Sequence, residues 1–352
     1  MIAARASRTV AAVSNGRVLV TGSAGHLGEA LVRVLTEQGR DVVGLDIARG
    51  EVSEPARRES SSPPTTVVGD VADRDVVRAC LAGVSTVLHT ATLHKPHVGT
   101  HGRQAFVDTN VTGTLALLEE SAAAGVERFV FTSTTSTFGR ALTPRAGEPA
   151  AWITEDVVPV PRNVYGVTKT AAENLCELVH RDLGLPVVVL RTSRFFPEAD
   201  DRDEVRAAYA DANVKATEYL YRRVDLADVV DAHLLAAERA PSLGFDRFVV
   251  SATTPFTRAD LPELHRDAPA VVARLFPDQP AEYARRGWRV FDTIDRVYVN
   301  DRAREILGWR PRYDFRHVLD ELTADRDFRS PLARAVGAKG YHPTSTGPYT
   351  VR

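Results

Sequence analysis

The chain has 352 residues, a formal net charge of −2, and 44% hydrophobic against 26% charged residues. That is enough for one large domain or two modest ones around a sizeable core. There is no global basic field for nucleic acid or an anionic membrane surface, and no apolar run near the roughly 18 residues of a membrane helix.

Residues 1–16 precede the first strand and read as a loose extension without a secretory apolar core, which places the protein in the cytoplasm. Val18-Leu19-Val20 then meets Gly22, Gly25 and Gly28, and Ala30, Leu31, Val34 and Leu35 follow at helical spacing. Strand, glycine turn and helix in that order let backbone N–H groups approach a pyrophosphate at the positive end of a helix. The spacing is GxxGxxG rather than the general GxGxxG, and the same glycines also serve a plain tight turn. Asp41–Asp46 reads as a second strand whose final acid lies about 20 residues after the turn, where a carboxylate binds the ribose hydroxyls of NAD and repels the 2′-phosphate of NADP. A strand-ending aspartate also caps turns.

Residues 50–64 are a breaker-rich loop. Thr65–Gly69 is a third strand leading into Asp70 and Val71. Asp70 either accepts from an adenine amino group or caps a helix over Ala72–Leu81. Val84–Thr90 is a fourth strand. His89, His94, His97 and His101 fall within 13 residues, but no acid or cysteine is interleaved. The stretch therefore reads as a polar loop over cofactor or substrate, not a metal site. Arg103–Ala124 is a long helix carrying Asn110, and Arg128–Thr132 is a fifth strand. A helix over Asn163–His180, a strand at Leu185–Arg191, a helix at Val224–Arg239 and a strand at Phe248–Ser251 complete the alternation. The fold class is α/β, a doubly wound parallel sheet built from residues 17–191 with 224–251. Residues 192–223 with 252–325 form a smaller, discontinuous lobe at the sheet's carboxyl edge, where ligands bind. The tail at 326–352 reads as an arm or disordered segment.

Two thiols, Cys80 and Cys176, sit in apolar helical patterns and read as buried and reduced. Of 44 basic residues only Lys95, Lys169, Lys215 and Lys339 are lysines. Tyr165 and Lys169 stand at i, i+4 on one helix face, so their polar ends can meet. An ammonium there lowers the phenol's pKa and makes Tyr165 a general base. The hydroxyl run Thr132–Thr137 ends the fifth strand and can bind the oxygen that Tyr165 deprotonates.

These stretches together resemble the extended short-chain dehydrogenase/reductases, the NAD-dependent sugar epimerases and dehydratases. The residues that carry the resemblance are TGSAGHLG at 21–28, Asp46, GDV at 69–71, NVTGTLALLEE at 110–120, FVFTSTTSTFG at 129–139, YGVTK at 165–169 and the closing stretch at 299–322. The resemblance spans residues 17–324 and implies a Rossmann-type sheet with NAD as cofactor. It implies that Gly22, Gly25 and Gly28, with His26 and Leu27, hold the pyrophosphate. Asp46, Asp70, Val71, Thr90, Ala91, Thr92, Asn110 and Thr132 would contact the rest of the cofactor. Thr134 takes the active-site Ser/Thr position, Tyr165 is the base, and Lys169 binds the nicotinamide ribose. Lys95, Thr135, Phe195, Phe196, Arg194 and Arg223 fall on the substrate side. A homodimer through helices 103–124 and 163–180 is also implied.

Departures from the family pattern separate its branches. Dehydratases and decarboxylases of the family carry an acid after the active-site Thr; here Thr135 and Ser136 stand there. Phe195-Phe196-Pro197 replaces the usual Phe-Asn-Pro, and Tyr221–Leu226 departs from the usual Arg-Asp-aromatic-His pattern, with Asp225 in place of the histidine. Arg191, Arg194, Arg222 and Arg223 remain as partners for phosphate or carboxylate, or as structural arginines. The expectation is an NAD-dependent, 4-epimerase-like enzyme on a sugar or nucleotide sugar. The alternatives are a simple dehydrogenase/reductase of a non-nucleotide substrate, and a catalytically silent NAD sensor.

Overall fold

A computed structural model describes residues 16–48, 64–145, 147–200 and 202–339. The expected N-terminal extension, save Gly16, and most of the loop at 50–64 lie outside these. The chain alternates β1 (Arg17–Thr21), α1 (His26–Glu37), β2 (Val42–Asp46), β3 (Thr65–Val68), α2 (Arg74–Cys80), β4 (Val84–His89), α3 (Arg103–Val107), α4 (Gly113–Ala123) and β5 (Arg128–Thr134). After β6 (Ala151–Ile153) come α5 (Val164–Leu183), β7 (Val187–Thr192), α6 (Asp203–Ala208), α7 (Asp211–Glu218), α8 (Leu226–Leu243) and β8 (Phe245–Val250). The C-terminal third adds α9 (Leu261–Leu264), α10 (Ala268–Leu275), α11 (Gln279–Arg285), β9 (Arg296–Tyr298), α12 (Phe315–Thr323) and α13 (Pro331–Val336).

Seven strands form one parallel sheet in the order β3-β2-β1-β4-β5-β7-β8. Its inner strands are apolar and buried on both faces, as a parallel sheet covered by helices requires. Helices α1 and α8, with Trp309, cover one face, and α2, α4 and α5 cover the other. Strand order reverses between β1 and β4, and that switch point opens a crevice at the carboxyl ends of the strands. No helix among the described residues is long and apolar enough to cross a membrane.

Several local expectations are corrected. Helix α2 starts at Arg74, because Asp73 rather than Asp70 caps it, accepting from the N–H groups of Asp75 and Val76. The helix expected over 103–124 contains a π-turn at Asp108–Thr112, which interrupts its register at Asn110. Residues 151–153 leave the sheet domain, pairing as β6 with β9 in a small two-stranded sheet of the lobe. Ala303, Leu307 and Trp309, expected in the lobe, return to the α1/α8 core. The tail is ordered at least to Lys339: α13 packs on α1 and α8 because Leu332, Ala333 and Val336 present an apolar face. Residues 340–352 lie outside the described ones.

Candidate functional site

The glycine turn is shaped by close backbone approach. Gly22 has φ +67°, and a Cβ there would lie 2.7 Å from the Ala91 nitrogen. A Cβ on Gly28 would lie 1.9 Å from the Gly22 carbonyl oxygen, so α1 packs directly on the turn. Asp46 closes the loop from β2, accepting from the Ala24 N–H at 2.9 Å and the Ala48 N–H at 3.1 Å. The loop after β4 is held by a directed chain of hydrogen bonds. Thr114 donates to the Asn110 carbonyl (2.8 Å), so its oxygen accepts from His89 Nε2 (3.0 Å). His89 Nδ1 then accepts from Thr21 (2.7 Å), whose oxygen accepts from the Ala91 N–H (3.3 Å). Burial, with the Lys169 charge adding to it, pushes His89 down to about 3, so it stays neutral and the chain keeps its direction.

A cavity of about 960 Å³ runs from this turn to the carboxyl end of β5 and on to the lobe. Thr134 and Tyr165 both line it, and the Thr134 side chain acts on the Tyr165 phenol. Asn163 orients Tyr165 by capping α5, accepting from the Gly166 N–H at 3.0 Å. Burial pushes the phenol up to about 12, and the Thr134 side chain works against this. The expected meeting of Tyr165 with the Lys169 amine is replaced by another arrangement. Lys169 Nζ donates to the Thr132 carbonyl at 2.7 Å and sits 3.9 Å over the Phe131 ring. Burial lowers it to about 7. His233 supports the same residue from behind. Its Nδ1 donates to the Val229 carbonyl (2.8 Å), so Nε2 accepts from the Thr132 hydroxyl (2.8 Å). Burial lowers His233 to about 4, which keeps Nε2 bare.

The lobe end is aromatic. Phe195 and Phe196 pack at 4.8 Å between ring centroids, and Phe196 meets His94 at 5.8 Å and His26 at 6.2 Å. The arginines beside them already have carboxylate partners. The wholly buried Glu218 binds Arg222 (2.7 Å), Arg223 (2.9 Å) and Arg194 (3.3 Å), and Asp200 binds Arg194 at 2.8 Å. Arg191 is held by Glu173. Asp225, at the position where the family has histidine, caps α8 and accepts from the Ser330 N–H. Among the described residues no three His, Cys, Asp or Glu side chains converge as metal ligands.

Every cofactor-side residue expected from the sequence lines this cavity except Asn110 and Lys169. Asn110 lies behind the wall: its amide oxygen accepts from the Leu93 N–H and Thr92 hydroxyl, and its NH2 donates to the Leu93 carbonyl and Thr168. The π-turn aims it there. On the substrate side only Arg223 is missing from the wall, because Glu218 and the Phe196 carbonyl hold it. Sequence reading missed Arg162, Arg296, Tyr298, His233 and Lys339. Only Lys339 carried a signal, as one of four lysines in an arginine-rich chain.

The glycine cradle, the acid ending β2 and the volume of the cavity fit a dinucleotide. Comparison with known proteins agrees. The sequence profile of the NAD dependent epimerase/dehydratase family matches residues 18–250. The UDP-glucose 4-epimerase of Streptomyces lividans is 29% identical over 334 residues, 87% of this chain and 95% of its own length. The dTDP-glucose 4,6-dehydratase of Streptomyces antibioticus is 27% identical over 94% of this chain and 99% of its own. A solved short-chain dehydrogenase/reductase superfamily protein from Agrobacterium tumefaciens, with bound NAD, is similar at TM-score 0.61 and 26% identity, covering 88% of this chain and 97% of that one.

Proposed function

This chain belongs to the NAD-dependent epimerase/dehydratase family, and from that premise we propose an epimerase-type oxidoreductase that inverts a carbinol carbon of a sugar or nucleotide sugar. NAD, when bound, supplies the hydride acceptor and donor. Tyr165 is the acid–base group. In the reductive half its Oη, as the phenol that burial favours, gives its proton to a ketone oxygen and is left as phenolate. In the oxidative half that phenolate takes the carbinol proton and becomes the phenol again, and the Thr134 side chain favours the phenolate. Lys169 and His233 fix Thr132 from two sides and so set the floor of the reacting end.

The observation that carries this reading is the Thr134–Tyr165 pair opening into the same cavity as the glycine turn, with no acid beside it. Among the described residues the only carboxylates on the cavity wall are Asp46, which ends β2, and Asp70, which follows β3, at the other end. Elimination of water needs a proton donor near Thr134, and Thr135 and Ser136 offer none of the required acidity. The relatives include a dehydratase, so this acid-poor end is what supports epimerisation over elimination. The complete Thr134, Tyr165 and Lys169 set likewise favours an active enzyme over a silent NAD sensor. A homodimer through α4 and α5 belongs to the same proposal, with Val167 and Leu178 exposed on α5.

A second reading, a dehydrogenase or reductase of a substrate without a nucleoside diphosphate, is favoured by one observation. Arg194, Arg222 and Arg223 are already bound to Glu218 and Asp200, beside an aromatic wall. Incubation with UDP-glucose, followed by isomer separation and absorbance of NADH, separates the two. Isomer interconversion without net NADH supports the first reading. NADH accumulating with a neutral hydroxyl substrate, and no change in UDP-glucose, supports the second and overturns the first.

A further inference from the structure

The arginines that line the cavity are Arg162, Arg194, Arg222 and Arg296. All but the first carry a carboxylate partner: Arg194 has Asp200 and Glu218, Arg222 has Glu218, and Arg296 has Asp295 at 2.7 Å. Arg162 has no carboxylate partner among the described residues. Its Nη2 donates to the Thr143 hydroxyl. The Nε–H and Nη1 groups of the fork are left without an acceptor among the described residues.

This cation stands at the reacting end. Arg162 directly precedes Asn163, the cap of α5, and α5 carries Tyr165 in its first turn. Its anchor Thr143 lies on the segment that follows β5, the strand that ends in Thr134. The guanidinium therefore ties together the two chain segments that supply the Thr134–Tyr165 pair. Among the described residues the wall carboxylates, Asp46 and Asp70, lie at the other end and do not offset its charge. A cleft with an unopposed cation favours an anionic ligand over a neutral one. A carboxylate matches both the unit charge and the planar fork of one guanidinium. A phosphate monoester carries about −1.5 to −2 charges and calls for a second cation, and the other wall arginines are committed to their acids.

We propose that Arg162 is a specificity-determining residue of the substrate end, and that the substrate is an acidic sugar whose carboxylate it binds. The proposal rests on Tyr165 marking the reacting end. It deepens the proposed function by naming the charge of the substrate, with or without a nucleoside diphosphate.

The test is equilibrium binding to the NADH-loaded protein, read by the fluorescence of bound NADH, in wild type, Arg162→Ala and Arg162→Lys. The ligands are two matched pairs, UDP-glucuronate with UDP-glucose and glucuronate with glucose, together with glucose 6-phosphate. Wild type is expected to prefer the acid by about tenfold in at least one pair, the low end for a hydrogen bond to a charge because Arg162 is exposed. In Arg162→Ala the preference falls to within about twofold. Arg162→Lys keeps the charge but loses the fork, and retains about a threefold preference. Equal affinity for acid and neutral sugar in wild type overturns the proposal, as does a preference that survives in Arg162→Ala. Glucose 6-phosphate binding tighter than glucuronate, with Arg162→Ala removing the difference, assigns the residue to phosphate and also overturns it. Only binding is read, so an intact acid preference without isomer interconversion overturns the epimerase reading alone. A wild type that binds no NADH, or none of these ligands, overturns both.

Discussion

Glu218→Gln is a demanding test of the lobe, because it touches stability and ligand choice through one group. Glu218 is wholly buried on α7, with Arg222, Arg223 and Arg194 within 3.3 Å. Burial alone raises a carboxyl's pKa, but the Arg222, Arg194 and Arg223 guanidiniums overcome it and hold Glu218 at about 2 against an ordinary 4.5. At 1.36 kcal/mol per pH unit this is worth about 3 kcal/mol of stability at neutral pH. The folded pKa lies below the unfolded one. The contribution is therefore complete above pH 4.5 and is lost as pH falls toward about 2. Glutamine removes it and leaves Arg194 and Arg222 with Asp200 as a carboxylate partner among the described residues, a change of the kind that costs about 3–5 kcal/mol. Urea denaturation followed by circular dichroism from pH 8 to pH 3 measures the difference. The expected gap between wild type and variant is about 3 kcal/mol from pH 8 to 5, narrowing below pH 4.5. Parallel curves down to pH 3, or a gap below about 1 kcal/mol, would refute the reasoning. The same variant takes one carboxylate partner from Arg194 and Arg222 on the cavity wall, so affinity for UDP should rise even as stability falls.

Three further outcomes are expected. Tyr165→Phe lowers turnover by about 10²–10⁴ while NADH binding, read by fluorescence, survives; turnover within a few-fold of wild type removes Tyr165 from the acid–base role. Gly28→Ala drives a methyl against the Gly22 carbonyl, costing about 1–3 kcal/mol in chemical denaturation and weakening NAD binding; normal values for both would mean the turn yields freely. Asp46→Ala removes the repulsion of a 2′-phosphate and shifts the ratio of NAD to NADP affinity by about tenfold toward NADP, and an unchanged ratio would leave Asp46 its hydrogen bonds from Ala24 and Ala48 alone.

What the sequence made legible was local. Apolar runs punctuated by glycine and acid located all seven sheet strands, and the i, i+4 pair located α5, because these patterns depend on neighbours in the chain. What escaped depends on distant partners. Nothing around Ala151 predicts that it pairs with Arg296, and nothing around Asn110 announces a π-turn. The Tyr165–Lys169 spacing correctly put both on one helix, but spacing cannot report that the amine finds the Thr132 carbonyl. The arginines of 191–223 stood open as anion partners or structural residues, and nothing in their spacing names Glu173, Asp200 and Glu218 as their partners. Burial made them counter-charges.

The pairing of β6 with β9 also constrains when this protein can become an enzyme. Its register joins Ala151 to Arg296 and Ile153 to Tyr298, and Arg296 and Tyr298 belong to the cavity wall. During synthesis the glycine turn, Thr134 and Tyr165 all emerge from the ribosome long before residue 296. The wall that faces them does not exist until most of the chain has been made. A partly made chain can therefore carry a complete dinucleotide turn while its substrate side is still open to water.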